Sequence, residues 1–329
     1  MSKKRRHIPG QTAHLVRRCR QGQFLLRPED YTNAVVAYEM LYAAQRHGLE
    51  ISGATSMSNH YHLMGLDTSG DRSDFMADFN RNITRRLKKH HNYQGSTWMP
   101  GKYVDVHIGN AKELDTLVYI WTNPVKDGLV ESVDEWPGFQ ILPRHWGQEM
   151  TAKKPKAFYG KSGPEEITYT PKPPACLRHL PLEEARTLAQ ECLRAREKAL
   201  VAQRKTKGKT FLGRQEVLDL DPKSTANSAL NNRGPKNRFS FGSKSANAIA
   251  ISTYKAFLDD YETQLQRWLI GQKAIFPCGT VKLRKQAPIS CREIPTDQPG
   301  IYRPSSPQAA NDSQSSPEPS SAPPTVATG

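Results

Sequence analysis

The segment LEISGATSMSNHYHLMGL, residues Leu49–Leu66, decides the fold. Leu49 to Met57 and Tyr61 to Leu66 each favour extended chain. Between them stand Ser58 and Asn59, whose short polar side chains bond the nearby backbone and so suit a tight reversal. The stretch is predicted to be an antiparallel hairpin. Alternate side chains of a strand point to opposite faces, so His60 and His62 share one face and Tyr61 takes the other.

Working outward toward the N-terminus, Pro28, Glu29 and Asp30 open a helix that carries Val35, Val36, Met40, Leu41 and Ala44 along one side and ends by Gly48. Thr12–Arg18 (TAHLVRR) reads as a strand before it. On the C-terminal side, Asp71–His91 has Phe75, Phe79, Ile83 and Leu87 at helical spacing. Arg81, Arg85, Arg86, Lys88 and Lys89 crowd the solvated side and end of that helix. Lys102–Ile108 (KYVDVHI) alternates as a strand with Val104 and Val106 on one face. Lys112–Thr122 (KELDTLVYIWT) is helical and is stopped by Pro124. The order strand, helix, strand, strand, helix, strand, helix is that of a split βαβ. The fold class expected is α+β, a ferredoxin-like antiparallel sheet with helices on one face. The uncovered face, or the helix after the last strand, is then the place for a nucleic-acid site.

Residues 1–146 are expected to form this domain. The Pro-rich, polar stretch 147–174 (with KKPKAF and TPKPPAC) reads as a linker. Residues 175–304 read as a basic, partly helical C-terminal extension with helices near 181–204 and 247–270. Residues 305–329, almost all Ser, Pro, Ala, Gln and Thr, cannot bury enough apolar surface to offset the entropy of ordering, so a disordered tail is expected.

The 329 residues carry 47 Lys+Arg against 32 Asp+Glu, a formal net charge of +15, which favours polyanionic partners and makes nucleic acid the leading class. The basic start Met1–Arg6 can contact phosphate or simply be solvated. Cys19, Cys176, Cys192, Cys278 and Cys291 form no C-x-x-C pair and are odd in number, so reduced thiols in a cytoplasmic, nucleoid-associated protein are expected. The basic start is followed by no apolar segment, and a long uncharged apolar run is absent, so neither secretion nor membrane spanning is expected.

Two imidazoles side by side on one strand face can grip one divalent cation and leave it open positions for a phosphate. Alone, H-x-H is a common incidental pairing. A second segment, Tyr119–Val130 (YIWTNPVKDGLV), places Tyr119 and Asn123 four apart on one helix face, where the carboxamide could complete a metal shell beside the phenol. Taken alone, Tyr119 is an ordinary half-buried helix tyrosine and Asn123-Pro124 a helix stop.

SNHYHLM, YIWTNPVKDGLV and Trp136-Pro137 stand together in the order that resembles the HUH single-tyrosine transposases, in particular the REP-associated tyrosine transposase group; the likeness spans about residues 10–140. The resemblance implies His60 and His62 as metal ligands, Asn123 as a third, and Tyr119 as the nucleophile. Tyr61 stands where an apolar residue is commoner, and Asn123 where related insertion-sequence enzymes have Gln. The implied cofactor is a divalent metal, Mg²⁺ or Mn²⁺, and the implied substrate is single-stranded or hairpin DNA, cleaved and rejoined through a 5′-phosphotyrosine. Arg17, Arg18, Arg20, Arg81, Arg85, Arg86, Lys88 and Lys89 are the candidate DNA contacts, since phosphate contacts position a strand without reading it. His107 is a conceivable helper to the tyrosine, or a structural histidine. The alternative is a catalytically silent protein that binds palindromic hairpins. Monomer and homodimer are equally compatible with the pattern.

Overall fold

The computed structural model describes residues 4–101, 103–157, 159–160, 163–226, 238–295 and 300–303. The tail expected to be disordered, 305–329, lies outside the described residues. Strand β1 (Gln11–Arg18) leads to helix α1 (Asp30–His47), the hairpin β2 (Leu49–Ser56) and β3 (His60–Asp67), helix α2 (Arg72–His90), strand β4 (Val104–Ile108) and helix α3 (Asn110–Trp121). Gly48 caps α1 in the left-handed conformation at φ 64°, donating to the Ala44 carbonyl. The reversal between β2 and β3 is closed by Met57 N–H donating to the His60 carbonyl at 2.8 Å.

One sheet runs in the order β5-β2-β3-β1-β4-β8, with β5 (Gln140–Ile141) and β8 (Phe239–Ser240) added at the two edges. All its pairings are antiparallel except β4 with β8. The central order β2-β3-β1-β4 is the α+β, ferredoxin-like arrangement that the element order predicts.

Helices α1 and α2 lie together on one face. Phe75, Phe79, Ile83 and Leu87 of α2 are fully buried there with Leu15, Ile51, Tyr61 and Leu63. Each such side chain contributes about 1.5–3 kcal/mol of transfer free energy. The expectation of helices on one face holds for this pair, but the opposite face is also covered. Met57, Met64 and Ile108 project there and pack against Leu117, Ile120 and Trp121 of α3. Every residue of β3 is buried, and a strand apolar on both sides needs cover on both.

The proline stop also works differently from its sequence reading. Pro124 lies in the first turn of a short further helix, α4 (Asn123–Lys126), where its missing N–H costs nothing. Residues 147–174 hold an antiparallel pair, β6 (Met150–Lys153) and β7 (Glu166–Tyr169), rather than a bare linker. Ala152 and Ile167 are buried against α1, and the prolines fall outside the two strands, Pro155 and Pro164 in the connection between them and the rest after β7. In the extension, α5 (Leu182–Thr206) lays Ala185, Ala189, Leu193 and Leu200 on the α3 side of the sheet. It is followed by α6 (Arg214–Leu218) and by α7 (Lys244–Leu269). A parallel pair, β9 (Ile275–Phe276) with β10 (Ser290–Cys291), encloses α8 (Val281–Gln286) in sequence. The two long helices fall where the sequence predicts them.

Candidate active site

The β3 alternation places Tyr61 in the α2-side core, its hydroxyl donating to Asn80 Oδ1 at 2.8 Å. It sends His60 and His62 to the α3 side, with ring centroids 4.9 Å apart. Tyr119, on α3, sets its ring edge-on to His62 at 5.6 Å and is 39% exposed, whereas His60 and His62 are nearly buried. The two sequence motifs, about sixty residues apart, thus meet on one face.

The imidazoles are held by outer partners. His60 Nδ1–H donates to Asn59 Oδ1 at 2.6 Å, which leaves Nε2 as its unprotonated nitrogen. His62 Nδ1 shares a proton with His14 Nε2 at 2.9 Å, which likewise leaves His62 Nε2 outside that bond. Bonds of this kind fix ring orientation and tautomer. Burial pushes His60 down to about 3, helped by Arg18 and Lys126. Burial also lowers His62 well below its ordinary value, with further contributions from His60 and His14. Both rings are therefore neutral near pH 7, and a lone pair is available without displacing a proton.

His14 is a site residue that sequence reasoning missed. It faces His62 at 5.2 Å and Tyr119 at 6.3 Å. It lies on β1 two residues from Val16, which pairs with His62, so it shares that face, and this register is not written in the local sequence. Burial lowers its imidazole to about 4.

Asn123 is buried beside Tyr119, and its Nδ2 donates to the Tyr119 carbonyl at 3.3 Å. Lys126 Nζ lies 5.0 Å from the Tyr119 ring centroid. The sequence held a signal for this second missed residue, because positions 119, 123 and 126 step by four and three along one helix face.

Of the candidate DNA contacts, Arg18 reaches this face, since it pairs with His60 across the ladder and its charge acts on that ring. Arg17 falls on the opposite side and donates to the Gly101 carbonyl at 2.9 Å. Arg20 is exposed just beyond β1. Arg81, Arg85, Arg86, Lys88 and Lys89 stand on α2, across the sheet from Tyr119, and the structure does not bring them to the site. Arg81 pairs with Asp78, and Arg86 stacks on Tyr159 at 3.8 Å. His107 is also remote. It points to the α2 side, where Nε2–H donates to the Gly300 carbonyl at 3.0 Å, so it serves as a structural histidine.

No protein-family model matches the chain, and no curated protein matches it. Among solved structures, the chain is similar to a REP-associated tyrosine transposase bound to a REP hairpin. The identity is 24%, over 44% of this chain and 85% of that chain, with a TM-score of 0.37. No helix among the described residues is long and apolar enough to cross a membrane.

Proposed function

We propose that this chain is a metal-dependent single-tyrosine DNA strand transferase of the transposase kind, which cleaves and rejoins single-stranded or hairpin DNA. One observation carries the reading: an exposed phenol on α3 stands against a pair of buried, neutral imidazoles on β3. His60 and His62, with Asn123 as the third candidate, would hold a divalent cation, Mg²⁺ or Mn²⁺ being the choice the sequence resemblance implies. When bound, the cation supplies charge neutralisation at the phosphate oxygens.

The rest of the chemistry belongs to the chain. The Tyr119 oxygen attacks phosphorus, the bond from phosphorus to the 3′ oxygen breaks, and that oxygen departs as a hydroxyl, leaving a 5′-phosphotyrosine. Attack by a strand's 3′-hydroxyl on that ester restores the phenol and rejoins DNA without an external energy source. The Lys126 ammonium, beside the ring, stabilises negative charge as it develops on the phenol oxygen. His14 holds the His62 ring in orientation. Arg18 and Arg20 receive the phosphate backbone at the same end of the sheet.

The test is incubation of the full chain with labelled hairpin DNA and Mg²⁺ or Mn²⁺, followed by a denaturing gel. A covalent protein–DNA species is expected with the native chain and not with Tyr119→Phe or with chelator, while hairpin affinity persists in both. Hairpin binding by the native chain with no covalent species under any metal would establish the silent binder instead.

A further inference from the structure

The turn before α1 and the end of α2 meet on the side of the sheet away from Tyr119. There Glu29, His90 and His91 bring one ligand-type atom each to within 4.8 Å of the others, the one such trio of His, Cys, Asp or Glu among the described residues. His90 Nε2 lies 2.7 Å from Glu29 Oε1, and His91 Nδ1 lies 4.0 Å from the same oxygen. The orientation of His91 is set from outside the trio, because its Nε2–H donates to the Leu25 carbonyl at 3.1 Å. In the neutral ring Nδ1 is then the nitrogen left to accept a cation, 4.0 Å from the carboxylate oxygen.

We propose that Glu29, His90 and His91 form a second metal site, which takes a borderline-soft divalent cation of the zinc class through His90 Nε2, His91 Nδ1 and a Glu29 carboxylate oxygen. Two imidazoles and a carboxylate are a donor set that suits zinc, with water in the fourth position. Binding releases whatever proton His90 Nε2 carries. Arg27 pairs with the second carboxylate oxygen, Oε2, and Thr32 Oγ1 donates to Oε1 at 3.1 Å, so the ligand is oriented by its own outer contacts.

The site has a structural consequence for the proposed active site, although it does not depend on that reading. Leu26 N–H donates to the Ser58 carbonyl at 2.9 Å, and Asn59 Nδ2 donates to the Gly22 carbonyl at 3.2 Å. The segment that carries Glu29 is thereby bonded to the turn that leads into His60. A cation there ties the end of α2 to that turn.

The test uses the untagged full chain carrying His60→Ala and His62→Ala, which removes the other imidazole pair. Zinc bound per chain is measured by equilibrium dialysis with and without an added His91→Gln, whose amide can still donate to the Leu25 carbonyl. Bound zinc is expected to fall by one ion per chain, the cysteines being common to both arms. An unchanged stoichiometry overturns the proposal. As a second measurement, the native chain is treated with diethyl pyrocarbonate with and without zinc, and modification of His90 is mapped by mass spectrometry. Several-fold protection by zinc is expected, and modification at the same rate in both conditions overturns the site even where the multiple variant fails to fold.

Discussion

Gly53→Ala probes the contact that seats α3, and with it Tyr119, on the sheet. Gly53 follows a bulge in β2 and faces α3. A β-carbon there would stand 2.5 Å from Leu117 Cδ2 and 2.8 Å from Trp121 Nε1. Both distances are well inside the roughly 3.5–4.0 Å of favourable carbon contact. Trp121 cannot yield easily, because its Nε1–H donates to the Ile141 carbonyl at 2.8 Å and its ring is fully buried. Leu117, also fully buried, must leave its rotamer, or α3 must lift from the sheet. Overpacking of this kind costs about 1–3 kcal/mol. Leu117→Ala alone leaves a cavity and costs about 2–5 kcal/mol. In the double variant the new methyl occupies part of that cavity, so the combined loss should fall short of the sum by about 1 kcal/mol or more. Urea denaturation of the four proteins, followed by circular dichroism, measures the coupling. Additivity within about 0.5 kcal/mol would refute the claim that Gly53 is small in order to admit Leu117 and Trp121.

Four further outcomes are expected. Lys126→Gln should slow covalent adduct formation roughly ten-fold, about 1.4 kcal/mol, while leaving the adduct chemically unchanged; a rate equal to the native chain's would remove Lys126 from the proposed chemistry. Burial lowers His107 to about 4, whereas the unfolded chain takes up that proton near the ordinary value of 6.5, so stability is full above pH 6.5 and drains away between 6.5 and 4. His107→Gln should remove up to about 3 kcal/mol of that acid loss, which pH-dependent denaturation midpoints would show. Burial alone would raise Asp105, but Arg72, His7 and Arg5 outweigh it and hold the carboxyl well below its ordinary 3.8, so its contribution is present above about pH 4 and lost below. Asp105→Asn should cost about 1.5–3 kcal/mol at pH 7, because the nearly buried Arg72 would lose one of its two carboxylate partners and keep Asp67, Gln11 and the Arg6 carbonyl. Truncation after Pro174 strips α5 from α3 and exposes Ile120, Val125 and Trp146 to solvent, so the shortened chain should aggregate or bind a hydrophobic dye where the full chain does not.

What the sequence makes legible follows from period. The strands and helices from β1 to α3 begin and end within a few residues of their sequence readings, because each carries its apolar side chains at a period of two or near 3.6, and Gly48 and Ser58-Asn59 mark the end of α1 and the β2–β3 reversal. Local signals say nothing of what lies across the sheet. Thus His14, the partner of His62, stayed hidden, since it depends on how β1 registers against β3. The cover supplied by α5 was also hidden, because a charged helix whose small residues recur every four positions looks solvated until its neighbour is known. Residues 147–174 read as a linker because the composition is polar and Pro-rich, yet Glu166–Tyr169 is a short strand between Pro164 and Pro171.

The same arithmetic explains why the proposed site sits where it does. Since β3 is buried on both faces, its period of two must divide its residues between two different environments. Tyr61 and Leu63 go to the large α1–α2 core, where an aromatic ring is stabilising and a polar tip finds Asn80. Met64 joins the smaller core beneath α3, and His60 and His62 occupy the other end of that face. There apolar cover gives out and the phenol of Tyr119 emerges. A one-residue slip of β3 would bury two imidazoles among Phe75 and Phe79 and turn Tyr61 toward Tyr119, at the cost of two desolvated polar rings in an apolar core. The packing of α2 therefore fixes the register that presents the histidine pair, and the chemistry proposed for one face is specified by the hydrophobic core of the other.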